Sequence, residues 1–258
     1  MAHPTSSRHG PTRRLGRRIM ALAAIGALVA LAAGPVAAAP SGLPGLTAAR
    51  WQGTINWTSV QNAGIQFAYI RATEGTGYKD PSFNSNYPAA YYAGVIRGAY
   101  HLARPDLSNG TVQADYFVNN GGRWSADNLT LPGAVGLEWN PYGATCYGLT
   151  TTQMRQWITD FYNRYKARTG RDIVIHTTAN WWNRCTGSWT GMATKSPLWI
   201  AHYTTAGGPA LPAGWSSTTW TFWQYTGTGT VTGVAGAVDG SVFNGSRSRL
   251  LALANNTP

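Results

Sequence analysis

The stretch Gly133-Ala134-Val135-Gly136-Leu137-Glu138-Trp139-Asn140-Pro141 decides the reading of this chain. It is a short apolar run that ends on a carboxylate, a tryptophan and a proline-containing turn. A run of this length bounded by turn residues reads as a strand buried on both faces. Glu138 at its end is placed like an acid at the mouth of a barrel, where strand termini carry the chemistry. The nearest earlier acid is Asp127, and Gly136 holds the same-face position two residues before Glu138. The site therefore reads as acid chemistry with part of its acid set missing.

Further runs of the same kind lie on either side. Residues 66–72, 95–101, 172–177, 197–202 and 219–225 read as short buried strands. Helical stretches fall between them at 57–63, 83–92 and 111–119. The clearest is 151–168, where Met154, Trp157, Ile158, Phe161, Tyr162 and Tyr165 recur at helical spacing. Thr150 or Thr151 can cap its start and Gly170 marks its end. Strand–helix alternation predicts an α/β fold with a mostly parallel sheet, a single distorted (β/α) TIM-like barrel. From about Leu198 strands follow one another with little helix between them, so the distortion is expected at the closing end. The predicted strand ends carry Glu74, His101, Glu138, His176 and His202, which would meet on one rim.

The ends bound the setting. Arg8, Arg13, Arg14, Arg17 and Arg18 precede an apolar run from Ile19 to Ala33, and Val36-Ala37-Ala38-Ala39 offers small residues for a signal peptidase. Residues 1–39 thus read as a signal peptide with cleavage near Ala39, and 40–258 as one catalytic domain. An N-terminal membrane anchor is the competing reading, disfavoured by the short apolar run. The paired Arg13 and Arg14 leave twin-arginine and general export both open. Without the five leader arginines, the formal charge falls from +11 to +6. That suits an anionic cell-wall polymer, and equally suits plain solubility. The densest basic run, Arg164, Lys166, Arg168 and Arg171, closes a predicted helix and complements its dipole, so no nucleic-acid partner is expected. Cys146 and Cys185 are the two cysteines. An oxidising compartment favours a disulfide between them over two buried thiols. No CxxC or HExxH spacing occurs, so no metal is expected. Of the 12 tryptophans most should be core, while Trp51, Trp139, Trp181, Trp182 and Tyr142 fall in loops or at strand ends. There they serve equally as core or as platforms for sugar rings.

Several motifs then occur in order. They are Trp51-Gln52-Gly53-Thr54-Ile55-Asn56-Trp57, Phe67-Ala68-Tyr69-Ile70-Arg71-Ala72-Thr73-Glu74-Gly75, Gly98-Ala99-Tyr100-His101, Leu137-Glu138-Trp139-Asn140-Pro141 and Trp223-Gln224-Tyr225. Together they resemble the glycoside hydrolase family 25 lysozymes, secreted N-acetylmuramidases of the Chalaropsis type. The resemblance implies a modified β/α barrel, cleavage of the β-1,4 bond after N-acetylmuramic acid in peptidoglycan, and no cofactor. It places the family's general acid on Glu138 and a late acid on Asp239, the two expected catalytic residues. Two further family aspartates fall on Thr47 and Gly136, so two carboxylates are kept and two are lost. His176 stands where the pattern has Tyr. Tyr69, His101, Trp139, Tyr142, His176 and Trp51 are expected to bind substrate. The expected product is a secreted, monomeric lysozyme weakened by its missing acids, or a wall-binding protein whose catalysis has lapsed.

Overall fold

The computed structural model describes residues 39–216 and 219–257. Apart from Ala39, the expected signal peptide lies outside the described residues. Among the described residues there are nine strands: β1 Leu43–Ala48, β2 Phe67–Glu74, β3 Tyr78–Lys79, β4 Ile96–Leu102, β5 Ala134–Leu137, β6 Val174–Thr177, β7 Leu198–Ala201, β8 Trp220–Gly229 and β9 Val238–Phe243. The helices are α1 Trp57–Asn62, α2 Phe83–Tyr92, α3 Gly110–Asn119, α4 Thr151–Thr169, α5 Ala179–Thr186 and α6 Arg247–Asn255.

All six strands and four helices expected from the sequence are present, the helix at 83–92 with the same ends and the others with one or both ends shifted by one to four residues. Three strands and two helices were not anticipated. β1 contains Pro44 and Gly45, which hide its apolar character. β9 opens on Val-Asp-Gly and reads locally as a turn.

The sheet closes on itself. Its order is β1-β9-β8-β7-β6-β5-β4-β2-β3, and β1 also pairs with β2. Eight strands therefore form a barrel, with β3 as an antiparallel flap on β2. β1, β2 and β4 to β8 run parallel, while β9 is antiparallel to both β8 and β1. The chain turns straight back from β8 into β9 without a crossover helix, so the distortion lies at the closing end, as expected.

Local chemistry explains the elements. At the start of α4, Gln153 N–H donates to Thr150 Oγ1 at 3.3 Å, and Thr150 N–H donates to Gln153 Oε1 at 2.9 Å, a reciprocal capping box. Gly170 ends the helix in the left-handed region at φ 73°. The face carrying Met154, Trp157, Ile158, Phe161, Tyr162 and Tyr165 is buried. α5 buries Trp181 and Trp182 completely, so both are core and not sugar platforms. Cys146 and Cys185 form a disulfide with Cα atoms 5.4 Å apart. It ties the loop after β5 to α5.

Candidate active site

The carboxyl ends of the parallel strands surround a groove with two adjoining lobes. One, of about 270 Å³, is lined by Thr47, Trp51, Arg71, Tyr100, Leu102, Trp199, Gln224 and Asp239 among others. The second, of about 420 Å³, is lined by Trp139, Thr178, Asn180 and His202 among others. Glu138, His176 and Tyr203 border both lobes. A larger cavity of about 530 Å³ lies at the opposite end, among Pro197, Trp220 and Phe243. It contains no carboxylate.

Glu138 follows the last residue of β5, on the same face as Gly136. A Cβ added at Gly136 would lie 3.4 Å from Glu138 Oε1, so the acid folds back over the glycine. Burial raises the Glu138 carboxyl above its ordinary range; Arg71 opposes the shift and Glu74 adds to it. Asp239 comes from β9, directly opposite Thr47 of β1. Burial lifts its pKa to about 6, His176 lowers it and Glu138 raises it. Two carboxyls thus face one groove, each disfavoured as an anion, and Asp239 senses the charge of Glu138. Such a pair can hold one proton for a leaving oxygen beside one negative charge.

His176, on β6, donates through Nε2 to Gln224 Oε1 at 2.6 Å. Its ring lies 4.4 Å from that of Trp199. Burial lowers its pKa, so the neutral imidazole prevails near neutral pH. Thr47 is 8% exposed, and its hydroxyl has no hydrogen-bond partner. Trp51 stands 70% exposed at the rim, with the Arg50 guanidinium 4.1 Å above its ring centre.

Three expected substrate contacts do not reach the groove. His101 is fully buried, bonded to Thr73 and Gln113 and stacked on Phe161, with its pKa pushed down to about 4 by burial. It faces the helical layer, because its neighbours along β4 take the barrel side. Tyr69 is also fully buried. Its ring covers Gly98, where a Cβ would sit 2.3 Å from Cε1, and its hydroxyl donates to Pro132 O. Both are core residues. Tyr142 lines neither lobe; its hydroxyl donates to Glu74 Oε1 at 3.1 Å, beneath Arg104. Trp139, His176 and Trp51 do line the groove.

Sequence reading missed Arg71, Tyr203 and Gln224. Arg71 is held by Asp80 at 3.3 Å and Glu74 at 3.6 Å. Gln224 sits in the quoted Trp-Gln-Tyr motif, and Tyr203 follows the end of β7; both signals were available. Among the described residues no cluster of three or more metal-ligating side chains occurs, and no helix is long and apolar enough to cross a membrane.

A strand-end carboxyl pair in an open groove on a β/α barrel is the equipment of a glycoside hydrolase. Comparison with known proteins narrows that class. The profile described as glycosyl hydrolases family 25 matches residues 48–234. That span includes Gly136, Glu138 and His176 and leaves Thr47 and Asp239 just outside. Lysozyme M1 of Streptomyces globisporus is 64% identical over 84% of this chain and 73% of its own length. The N,O-diacetylmuramidase of Arthroderma benhamiae is 39% identical over 90% of this chain and 95% of its own. The crystal structure of a bacterial lysozyme from Streptomyces coelicolor superposes with a TM-score of 0.82 at 64% identity, covering 84% of this chain and 99% of that one. The chain belongs to glycosyl hydrolases family 25.

Proposed function

We propose that this chain is an exported muramidase of reduced turnover. It acts on the β-1,4 bond between N-acetylmuramic acid and N-acetylglucosamine in peptidoglycan. The supporting observation is the pairing of Glu138 and Asp239 across one groove, each with a raised pKa. Glu138 donates its proton to the leaving oxygen. Sugars with a 2-acetamido group can supply their own nucleophile, the acetamide oxygen, and Asp239 offsets part of the positive charge that develops. Gly136 and Thr47 add no charge there. Loss of one aimed electrostatic contact costs ~3 kcal/mol, about a hundredfold in rate. Losses within one catalytic unit do not simply add.

Residues 1–39 act as the export signal, and the domain from residue 40 works outside the cell as a monomer without cofactor. Its charge of +6 without the leader concentrates it on anionic wall polymer. It takes no nucleic-acid partner and makes no stable membrane insertion.

The test is release of reducing ends from purified peptidoglycan. The parent should show slow release that Glu138→Gln abolishes. Thr47→Asp with Gly136→Asp should raise the rate at least about a hundredfold. A second reading, a wall-binding protein without useful turnover, is favoured by the same two uncharged positions. It predicts sedimentation with insoluble peptidoglycan, weakened by Trp139→Ala, and no release above the Glu138→Gln background. A parent as fast as its folded double variant would sink both the weakened and the lapsed readings.

A further inference from the structure

Gly136 and His176 are cross-strand partners on β5 and β6. Partners in neighbouring strands present their side chains to the same face. The glycine offers nothing to a ligand, and the histidine beside it borders both lobes of the groove.

The state of that histidine follows from its contacts. Gln224 Nε2 points to the Tyr203 hydroxyl at 3.4 Å, which turns Gln224 Oε1 toward the imidazole at 2.6 Å. An amide oxygen only accepts, so His176 Nε2 carries the proton. Burial keeps the ring uncharged. The remaining nitrogen, Nδ1, is then a lone-pair acceptor, and no hydrogen bond to it occurs among the described residues. The ring cannot swing freely, because Trp199 packs against it at 4.4 Å. Two residues along from Gly136 stands Glu138, the acid that would protonate a glycosidic oxygen in the proposed reaction.

We infer that His176 Nδ1 is the acceptor that reads the amide N–H of a 2-acetamido sugar bound against Glu138, in place of a side chain at position 136. His176 is thus a positioning and specificity residue. The inference rests on reading the groove as a glycan site and deepens that reading. A neutral nitrogen can orient an amide but brings no negative charge. Orientation and charge are thereby separated: His176 supports binding of N-acetylated glycan, while the charge missing at Gly136 limits turnover. A buried amide donor left without an acceptor is penalised strongly enough to shift affinity by about tenfold.

The test uses the mature chain and two probes, chitopentaose and cellopentaose, which differ in the acetamide. Affinities are measured by titration calorimetry, and folding of each variant by circular dichroism. The parent should prefer chitopentaose. His176→Phe, which keeps a ring against Trp199 but has no acceptor, should lose about tenfold on chitopentaose and less than about twofold on cellopentaose. His176→Asn should retain most of the preference, since its Oδ1 can stand near the Nδ1 position. Gly136→Asp in the His176→Phe background should recover it. On peptidoglycan, His176→Phe should raise KM with kcat little changed, whereas Gly136→Asp in the parent should chiefly raise kcat. His176→Leu serves as a second acceptor-free variant should the Phe variant misfold.

Equal losses on both probes, or none on either, would overturn the inference while leaving the groove a glycan site. Failure of the folded parent to bind either oligomer would overturn the glycan reading itself, and this inference with it.

Discussion

Gly136 and Thr47 differ in how they would receive a carboxylate. A Cβ at Gly136 would meet Glu138 Oε1 and Leu102 Cδ1 at 3.4 Å and His101 O at 3.6 Å, ordinary contact distances. Its backbone lies in a strand, outside the left-handed region that favours glycine. Gly136→Asp should therefore fold. Its charge beside Glu138 would disfavour the glutamate anion, keeping the acid form to higher pH. The alkaline limb of the kcat–pH profile should move upward relative to the parent; an unmoved or lowered limb would show that the two groups do not interact. Thr47→Asp is less comfortable. It sets a carboxylate opposite Asp239, and like charges directly across an antiparallel pair destabilise. That variant should melt below the parent at pH 7, and the difference should narrow toward pH 4 as the pair takes up protons.

Asp239 already shows the sign of such strain. Its folded pKa of about 6 lies above the ordinary carboxylate value, so the folded state binds the proton more tightly than the unfolded one. Ionisation therefore costs stability above about pH 6. That cost fades as pH falls through 6 toward 4 and vanishes below 4, where the unfolded carboxyl is protonated as well. Asp239→Asn should stabilise the protein at pH 7 by up to about 2 kcal/mol, after allowance for solvent screening, and by almost nothing at pH 4. Urea unfolding at the two pH values measures this. A constant gain at both would place its cause outside Asp239 ionisation.

At the scale of elements, the loop from Trp139 to Leu149 between β5 and α4 gives Trp139 to the groove and is pinned at two points. The disulfide ties it to α5. On the other side Tyr142 reaches Glu74, which also lies 3.7 Å from Arg104. The two ties are unequal. Closing a loop with a sequence separation of 39 residues stabilises by ~4 kcal/mol in the chain-entropy model. The Tyr142 contact is solvent-exposed and worth well under ~1 kcal/mol. Cys146→Ser with Cys185→Ser should lower the melting temperature by several degrees, while Tyr142→Phe should leave it nearly unchanged. A double serine variant that melts with the parent would mean that packing of Trp181 and Trp182 alone holds α5 in place.

For the whole molecule, closure through β9 joins the last strand to the first. One continuous sheet should unfold in one cooperative step, with tryptophan fluorescence and far-ultraviolet circular dichroism giving the same midpoint. On the proposed function, wall retention would combine a net charge of +6 without the leader with exposed rings such as Trp51 and Trp139. Retention should therefore fall between about 0.05 and 0.5 M salt without vanishing, because screening removes the long-range attraction and leaves the ring contacts. Complete release at moderate salt would assign retention to charge alone.

The sequence by itself determined the strand–helix alternation, the helical face and cap of α4, and the strand end that carries Glu138, because each depends on residues near one another along the chain. It also marked Trp51, Trp139 and His176 as rim residues. It misjudged His101 and Tyr69, since being near a strand end does not tell which face a side chain takes once helices pack around the sheet. Only the tertiary structure decided that Pro44 and Gly45 lie in a strand, that Val-Asp-Gly opens another running backwards, and that their pairing sets Asp239 opposite Thr47. Only it set His176 beside Gly136, with Gln224 fixing the proton on its ring. These are contacts between residues tens to nearly two hundred positions apart, and the register of a closed barrel, not any local pattern, brings them together.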